Sequence, residues 1–247
     1  MLINKNMKMA DVIHLDHHLL HIINRFGIYL GFGDQTVAEV CRNYQVNLDF
    51  FLEIVNTYHD PSYFPVGHLQ KFSASLIIDY LQKTHQYYLE VKIPELETLI
   101  NQLVEEAAYE TQHVELLKTF FENYKIELTD HINKEELRVY PYTYKLENRL
   151  KGTAYTFAED TIPEGYNIMR YEEDHDDVEA KLFDLKNIII KYLPAPTENR
   201  RLNQILHELF ELEKDLSNHG HIEDLILIPI VEKMEQELAA QTDELPG

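Results

Sequence analysis

Two His-x-x-x-Glu pairs are the residues of this chain whose types and spacing best suit metal chemistry. Glu135 follows His131 by four positions, and Glu223 follows His219 by the same interval. Positions i and i+4 lie on one face of an α-helix, so each pair can direct an imidazole and a carboxylate to the same side, one turn apart. These ligands suit Fe, Mn, Zn or Cu rather than Ca or Mg. The pairs therefore predict a transition-metal site.

A single histidine precedes each pair at a similar distance. The order His, then His-x-x-x-Glu, therefore occurs twice. The pairs also share a longer pattern, HINKEELRVYP and HGHIEDLILIP, in which the histidine, the glutamate, a second acid, a leucine and a proline have equal offsets. This internal repeat predicts two similar halves that share one site. The predicted metal ligands are His85, His131, Glu135, His175, His219 and Glu223.

Each predicted ligand occupies the apolar seam of a long periodic segment, in place of a core side chain. The seams that carry the pairs contain Val114, Leu117, Phe121, Tyr124 and Leu128 before His131, and Ile205, Leu209, Leu212 and Leu216 before His219. Burying an unpartnered polar group costs about 1–3 kcal/mol, so six such groups need compensation, which metal ions can supply. The alternative is a hydrogen-bonded polar layer, which suits one buried histidine better than six co-located residues.

Four long helical segments are needed to position these residues, at about 69–107, 111–147, 166–192 and 198–240. The short breaks before the second and the fourth favour antiparallel neighbours, as in an up-down-up-down bundle. Pro94, Pro141 and Pro229 fall inside segments, where proline bends, ends or restarts a helix. The predicted fold class is all-α, with a four-helix bundle as its main part.

A smaller helical unit is predicted before the bundle. It has an amphipathic helix at 10–26, a short helix opened by the capping box Thr36 to Glu39, and a third helix after Asn47. The stretch HDPSYFPVG has two prolines and a glycine, a composition typical of a linker. The predicted domains are residues 1–66, a small helical domain, and residues 67–247, the bundle.

The charge balance restricts the expected partners. The chain has 22 Lys and Arg against 43 Asp and Glu, a net charge of −21, so nucleic acids and anionic membrane surfaces should be repelled. No stretch approaches the roughly 18 apolar residues that cross a bilayer. Cys41 is the single cysteine, which agrees with a reducing compartment. We expect a cytoplasmic protein without nucleic-acid or membrane partners, and the oligomeric state stays open.

The composition of the predicted ligand set favours two iron ions over one structural zinc ion. Structural zinc sites commonly use thiolates, and this set contains none. Six ligands with two carboxylates can hold two ions that share carboxylate oxygens. Neither ion would then be saturated, so water or a diatomic gas such as oxygen or nitric oxide could bind.

At all six positions, the pattern of single histidines and His-x-x-x-Glu pairs resembles the hemerythrin-like RIC proteins (repair of iron centres). The stretches RFGIYLGFGDQTVAEVC and NLDFFLEIVN are similar to the small helical domain that precedes the bundle in that family. The resemblance implies a hemerythrin-like up-down-up-down bundle with a non-haem di-iron centre, which helps to restore iron–sulfur clusters damaged by nitric oxide or oxidants. It also implies four terminal histidine ligands and bridging carboxylates from Glu135 and Glu223.

One departure from the family pattern affects the functional prediction. Members commonly carry an adjacent Cys-Cys pair in the N-terminal loop, where this chain has Gly31-Phe32-Gly33. The prediction is a di-iron protein of the iron–sulfur cluster repair type, with diatomic gases and damaged iron–sulfur proteins as partners. The alternatives are an oxygen- or nitric-oxide-binding sensor, an iron store without turnover, and a purely structural helical protein.

Other titratable residues are predicted to lie outside the site. His14, His17, His18 and His21 follow the spacing of an amphipathic helix outside the bundle and are assigned to a surface or interdomain face. Three more histidines lie outside the seams and are predicted not to be ligands: His113, His207 and His221. Glu127 and Asp174 are predicted to be hydrogen-bond partners of the ligands, to line a path to the iron, or to belong to a solvated face.

Overall fold

The fold is all-α, as the sequence predicts. The computed structural model describes residues 1–106, 111–153, 165–169, 178–192 and 200–243. Within these ranges the chain forms helices joined by short connections. Backbone pairing of the β type is limited there to one isolated antiparallel β-bridge between Lys8 and Thr36. No helix in the described ranges has both the length and the apolar character needed to cross a membrane.

Internal contacts divide the chain into two compact units. The first comprises Met1–Thr84 together with His221–Ile230, and the second comprises His85–Gly220 together with Val231–Gly247. The boundary at residue 66 stays a prediction.

The first unit is built from short helices around a core that includes Phe50, Phe51 and Ile54. The Thr36–Glu39 capping box is present, and Asn47 caps the following helix. The helices are α1 Met9–Leu15, α2 Leu19–Arg25, α3 Val37–Asn43, α4 Leu48–His59, α5 Val66–Leu69 and α6 Ala74–Tyr87, the last of which continues into the second unit.

The single helix predicted at 10–26 is interrupted at Asp16. This residue has extended backbone angles, and its carboxylate accepts a hydrogen bond from the His18 backbone N–H at 3.1 Å. The same carboxylate lies 2.9 Å from Nδ1 of His59. Aspartate side chains that bond nearby backbone groups compete with helical hydrogen bonds, so Asp16 ends α1 where apolar periodicity alone predicts continuation.

The second unit contains the long helices. Its core joins residues of all its described long helical runs, among them Leu117, Leu185 and Leu209. Helix α8 packs against both α7 and α10. The helices are α7 Ile93–Glu106, α8 Thr111–Lys134, α9 Tyr140–Leu150, α10 Val178–Asn187, α11 Arg200–Ile222 and α12 Ile228–Asp243.

A π-helical turn occurs in each of the four long helical runs of the described residues. The turns are π1 Tyr88–Lys92, π2 Glu135–Val139, π3 Ile188–Tyr192 and π4 Glu223–Leu227. Each ends two residues before a proline of the sequence, and these prolines are Pro94, Pro141, Pro194 and Pro229. Proline lacks an N–H, and its ring clashes with the carbonyl four residues earlier. A wider turn in that position gives the ring room.

The backbone hydrogen bonds agree with this explanation. In π1, π2 and π4 the residue just before the proline donates its N–H five residues back: Ile93 to Tyr88, Tyr140 to Glu135 and Ile228 to Glu223. Pro229 also leaves the Leu225 carbonyl without its usual helical donor. In the first unit Gln70 Nε2 donates to that carbonyl at 2.9 Å. The helical runs therefore continue past Pro94, Pro141 and Pro229 instead of ending at them.

A π-turn shifts the apolar seam of the helix that follows it by one residue, because it adds one residue to a turn. The heptad stripe predicts Ile230 as the core position after Ile226, but Ile230 is half-buried and Val231 is fully buried. The buried positions continue with Met234 and Leu238. The seam prediction therefore holds up to the π-turn and is wrong by one residue after it.

Cys41 is buried in the core of the first unit. Burial raises the pKa of this thiol to about 11. Because the thiolate is the reactive form, very little of it exists near neutral pH. We expect native Cys41 to react with a disulfide reagent such as DTNB far more slowly than the unfolded chain, measured by thiolate release at pH 7.5 with and without guanidinium. Equal rates in the two states would contradict this assignment.

Candidate metal centre

Three of the predicted ligands meet inside the second unit. Nε2 of His85 lies 3.1 Å from Nε2 of His219 and 3.1 Å from Oε2 of Glu135. The donor atoms of all three residues lie within 4.8 Å of one another, and all three residues are buried. They come from α6, π2 and α11, so helices that are distant in sequence supply one cluster.

His131 places a second imidazole on the same carboxylate. Its Nε2 lies 3.0 Å from Oε1 of Glu135, the oxygen opposite the one that faces His85. One carboxylate therefore lies between two imidazoles, with a different oxygen directed at each. This is the arrangement expected of a carboxylate that bridges two ions.

The second His-x-x-x-Glu pair lies on one continuous helical run. Glu223 begins π4 directly after α11 and follows His219 by four residues. Its side chain is buried, and it belongs to the first unit. His175 lies outside the described residues, so its role stays a prediction, as does the six-residue ligand set as a whole.

The electrostatics of Glu135 favour its ionised form. Burial opposes ionisation, but hydrogen bonds with His131 and His85, together with their charge, hold the pKa of Glu135 well below its ordinary value. An ionised carboxylate between imidazoles is the form that metal ions bind.

The spacing of the donor atoms suits a metal ion. Two ligands about 2.0–2.2 Å from one ion, at angles near 90–100°, are themselves roughly 3 Å apart. The distances of 3.1 Å from His85 Nε2 to His219 and to Glu135 have this value. Oxygen and nitrogen donors of this type suit iron, manganese, zinc or copper. The residues therefore fit an ion of this group.

Glu136 is a neighbour of the cluster that the sequence analysis did not predict. Its Oε1 lies 2.8 Å from Nδ1 of His85. A carboxylate in this position accepts the Nδ1 proton of the imidazole, so the lone pair of Nε2 is available to an ion whenever the ring is neutral. The second acid shared by HINKEELRVYP and HGHIEDLILIP was the available signal, because it recurs at one offset in both halves.

The exchange of Glu136 for glutamine is expected to weaken metal binding about 10- to 100-fold, the usual cost of losing a carboxylate partner of a metal-bound histidine. The neutral amide supports the imidazole tautomer less strongly than the carboxylate does. Competition with a metal-binding dye measures the affinity. The control is Glu122→Gln, which makes the same change at an exposed glutamate of α8. Equal affinity of Glu136→Gln and the control would contradict the positioning role.

Two buried tyrosines surround the histidines. The Tyr140 ring is stacked on the His85 ring, with centroids 5.6 Å apart and planes 9° apart. The Tyr88 ring makes an edge contact with His219 at 5.8 Å. Tyr88 follows His85 by three residues, so helical periodicity places it on the same face, but periodicity does not bring Tyr140 to the site.

The remaining predictions concern residues away from the cluster. Glu127 pairs with Lys181 at 2.7 Å, and both side chains are substantially exposed, so Glu127 belongs to a solvated face. Asp174 lies outside the described residues. The three histidines predicted not to be ligands are exposed: His113, His207 and His221. In the N-terminal group, His14 and His17 are exposed, while His18 and His21 are half-buried.

The comparisons with known proteins give a distant relative. No family model matches the chain. The chain is 20% identical over 209 residues to a protein of Staphylococcus haemolyticus named iron–sulfur cluster repair protein ScdA, and the match covers 83% of this chain and 89% of that protein. The chain is thus similar, along most of its length, to a protein named for iron–sulfur cluster repair.

Proposed function

We propose that this chain is a non-haem di-iron protein of the iron–sulfur cluster repair type, which acts under nitric oxide or oxidative stress. The observation that carries the proposal is the Glu135 carboxylate, buried between His85 and His131 with a different oxygen directed at each. The likeness to ScdA over most of both chains supports a repair role.

Different residues are proposed to bind each of the two ions. His85 and His219 would bind one ion through Nε2, His131 would bind the other ion, and Glu135 would bind both. His175 and Glu223 are the remaining predicted ligands. The bound iron would supply redox chemistry and binding of small ligands such as nitric oxide or oxygen. Glu136 holds the His85 ring in the required tautomer. The surrounding buried side chains exclude bulk water.

The proposed partners are nitric oxide or oxygen and damaged iron–sulfur proteins. The net charge of −21 opposes binding to nucleic acids or anionic membranes. A single buried cysteine supports a reducing compartment such as the cytoplasm.

The test starts with purified protein loaded anaerobically with ferrous iron. Mössbauer and optical spectra should show a bridged di-iron centre with about two ions per chain. The loaded protein should then restore the activity of an iron–sulfur enzyme inactivated by nitric oxide, while the metal-free protein should not. Absence of iron after loading would contradict the metal centre, and equal recovery with metal-free protein would contradict the repair role.

A second candidate is a sensor or carrier of a diatomic gas, or an iron store, without turnover. The observation in its favour is that the N-terminal loop has Gly31-Phe32-Gly33 in the region where the repair proteins that it resembles commonly carry a Cys-Cys pair, so thiols for iron or electron transfer are missing there. Reversible binding of nitric oxide in a fixed ratio to iron, with no recovery of the damaged enzyme, would favour the sensor. Release of iron without gas binding would favour the store.

A further inference from the structure

The hydroxyl of Tyr140 lies beside the nitrogen of His85 that faces the cluster. Its Oη is 3.5 Å from Nε2, and the two rings are stacked. Nδ1 of the same imidazole lies 2.8 Å from Glu136, so Nε2 is the atom that remains for a metal ion. Tyr140 itself is completely buried. A phenol group is therefore held next to the position that an ion bound to His85 would occupy.

The π-turn explains why Tyr140 reaches this place. In a regular α-helix the fifth residue after Glu135 lies roughly 140° around the axis from it, because each residue turns about 100°. A π-turn adds one residue, so the fifth residue takes the place of the fourth, about 40° away. The Tyr140 N–H accordingly bonds to the Glu135 carbonyl. The turn thus brings Tyr140 to the face of the helix that carries the ligand.

The other half of the repeat has the same geometry without the hydroxyl. Ile228 is the fifth residue after Glu223, its N–H bonds to the Glu223 carbonyl, and its side chain is buried. An aliphatic side chain is therefore compatible with this position of the repeat. Packing after the π-turn therefore does not by itself require a phenol at the position of Tyr140.

We propose that the Tyr140 hydroxyl donates a hydrogen bond to a small anion or diatomic ligand bound to the ion held by Nε2 of His85. This inference rests on the proposed metal centre and adds a recognition group to it. Hydrogen bonds to charged acceptors are stronger than neutral ones, particularly where water is excluded. The hydroxyl makes the two halves of the centre unequal, and ligands bind preferentially on its side.

The inference is tested with azide as the probe and the iron-loaded ferric protein. Tyr140→Phe removes the hydroxyl and keeps the ring on His85. We expect unchanged iron content and thermal stability, but azide affinity about 10- to 100-fold lower in an optical titration. The vibrational frequency of bound azide should shift in deuterated water in the unmodified protein and not in Tyr140→Phe. The control is Tyr124→Phe, which deletes a buried hydroxyl in the α8 core.

The outcomes separate this inference from the proposed function. If the unmodified protein binds no iron, both fail. If it binds iron but no azide, or if Tyr140→Phe binds azide as tightly as the unmodified protein, the inference is overturned while the metal centre stands. Loss of iron in Tyr140→Phe alone would also overturn it, because Tyr140 would then be a ligand of the ion.

Discussion

Alanine in place of Glu135 is expected to abolish the di-iron centre. The carboxylate lies between two imidazoles, and its oxygens are 3.1 Å from His85 and 3.0 Å from His131. Its removal deletes the group shared by both proposed ions and takes away the carboxylate that faces Nε2 of each imidazole. Loss of an outer partner costs about 10- to 100-fold in metal affinity, so loss of a bridging ligand should cost more than about 100-fold.

Iron content after anaerobic loading and desalting measures this effect. We expect less than one ion per chain in Glu135→Ala, and loss of the bridged di-iron Mössbauer signal. The matched control is Glu127→Ala, two helical turns earlier on the same helical run, where the carboxylate pairs with Lys181 on an exposed face. The assignment of Glu135 would be wrong if both variants kept the iron content of the unmodified chain. Circular dichroism must show that both variants remain helical.

Removal of the Glu213 carboxylate is expected to cost about 2–3 kcal/mol of unfolding free energy. Its partner Lys186 is only 4% exposed, and its ammonium lies 4.2 Å from the centre of the Phe210 ring. Breaking a fully buried ion pair by removing one partner costs roughly 3–5 kcal/mol. The Glu213 side chain is 30% exposed, and water can partly replace it, so the expected cost is lower.

Urea unfolding of the metal-free protein measures this prediction. Glu213→Ala should lower the unfolding midpoint, whereas the double change Lys186→Met and Glu213→Leu should recover most of the loss, because it removes both charges and keeps apolar volume. Lys233→Ala, which affects an exposed i,i+4 pair with Glu237, should change stability by less than about 1 kcal/mol. Equal effects of Glu213→Ala and Lys233→Ala would show that the buried pair contributes no more than a surface pair.

The parts of the fold that depend on local chemistry could be predicted from sequence. The Thr36–Glu39 capping box and the Asn47 cap follow from hydrogen bonds within four residues. The seam of α8 was predictable because its apolar residues recur at helical spacing as far as His131. The break at Asp16 was not predictable from periodicity, since it depends on a carboxylate that also contacts His59, far away in the sequence.

The site could be predicted as residue types and not as geometry. The sequence spacing predicted that His85, Glu135 and His219 share one site. In the structure their donor atoms lie within 4.8 Å of one another. The sequence spacing did not indicate that Tyr140 would face His85, because helical periodicity assumes that every turn is an α-turn. Pro141 causes a wider turn, and this turn changes the face of the helix on which Tyr140 lies. Glu136 was missed for another reason: its role depends on a contact with a different helix.

The four π-turns also affect how relatives of this chain should be aligned. Each behaves as an insertion of one residue within a helix, where alignment methods penalise gaps most heavily. An ungapped comparison with a bundle that lacks the insertion would pair residues that point about 100° apart downstream of each proline. Gaps placed at Tyr88–Lys92, Glu135–Val139, Ile188–Tyr192 and Glu223–Leu227 would restore the correspondence of core positions. Sequence identity between such proteins, when counted without those gaps, therefore understates how many buried positions they share.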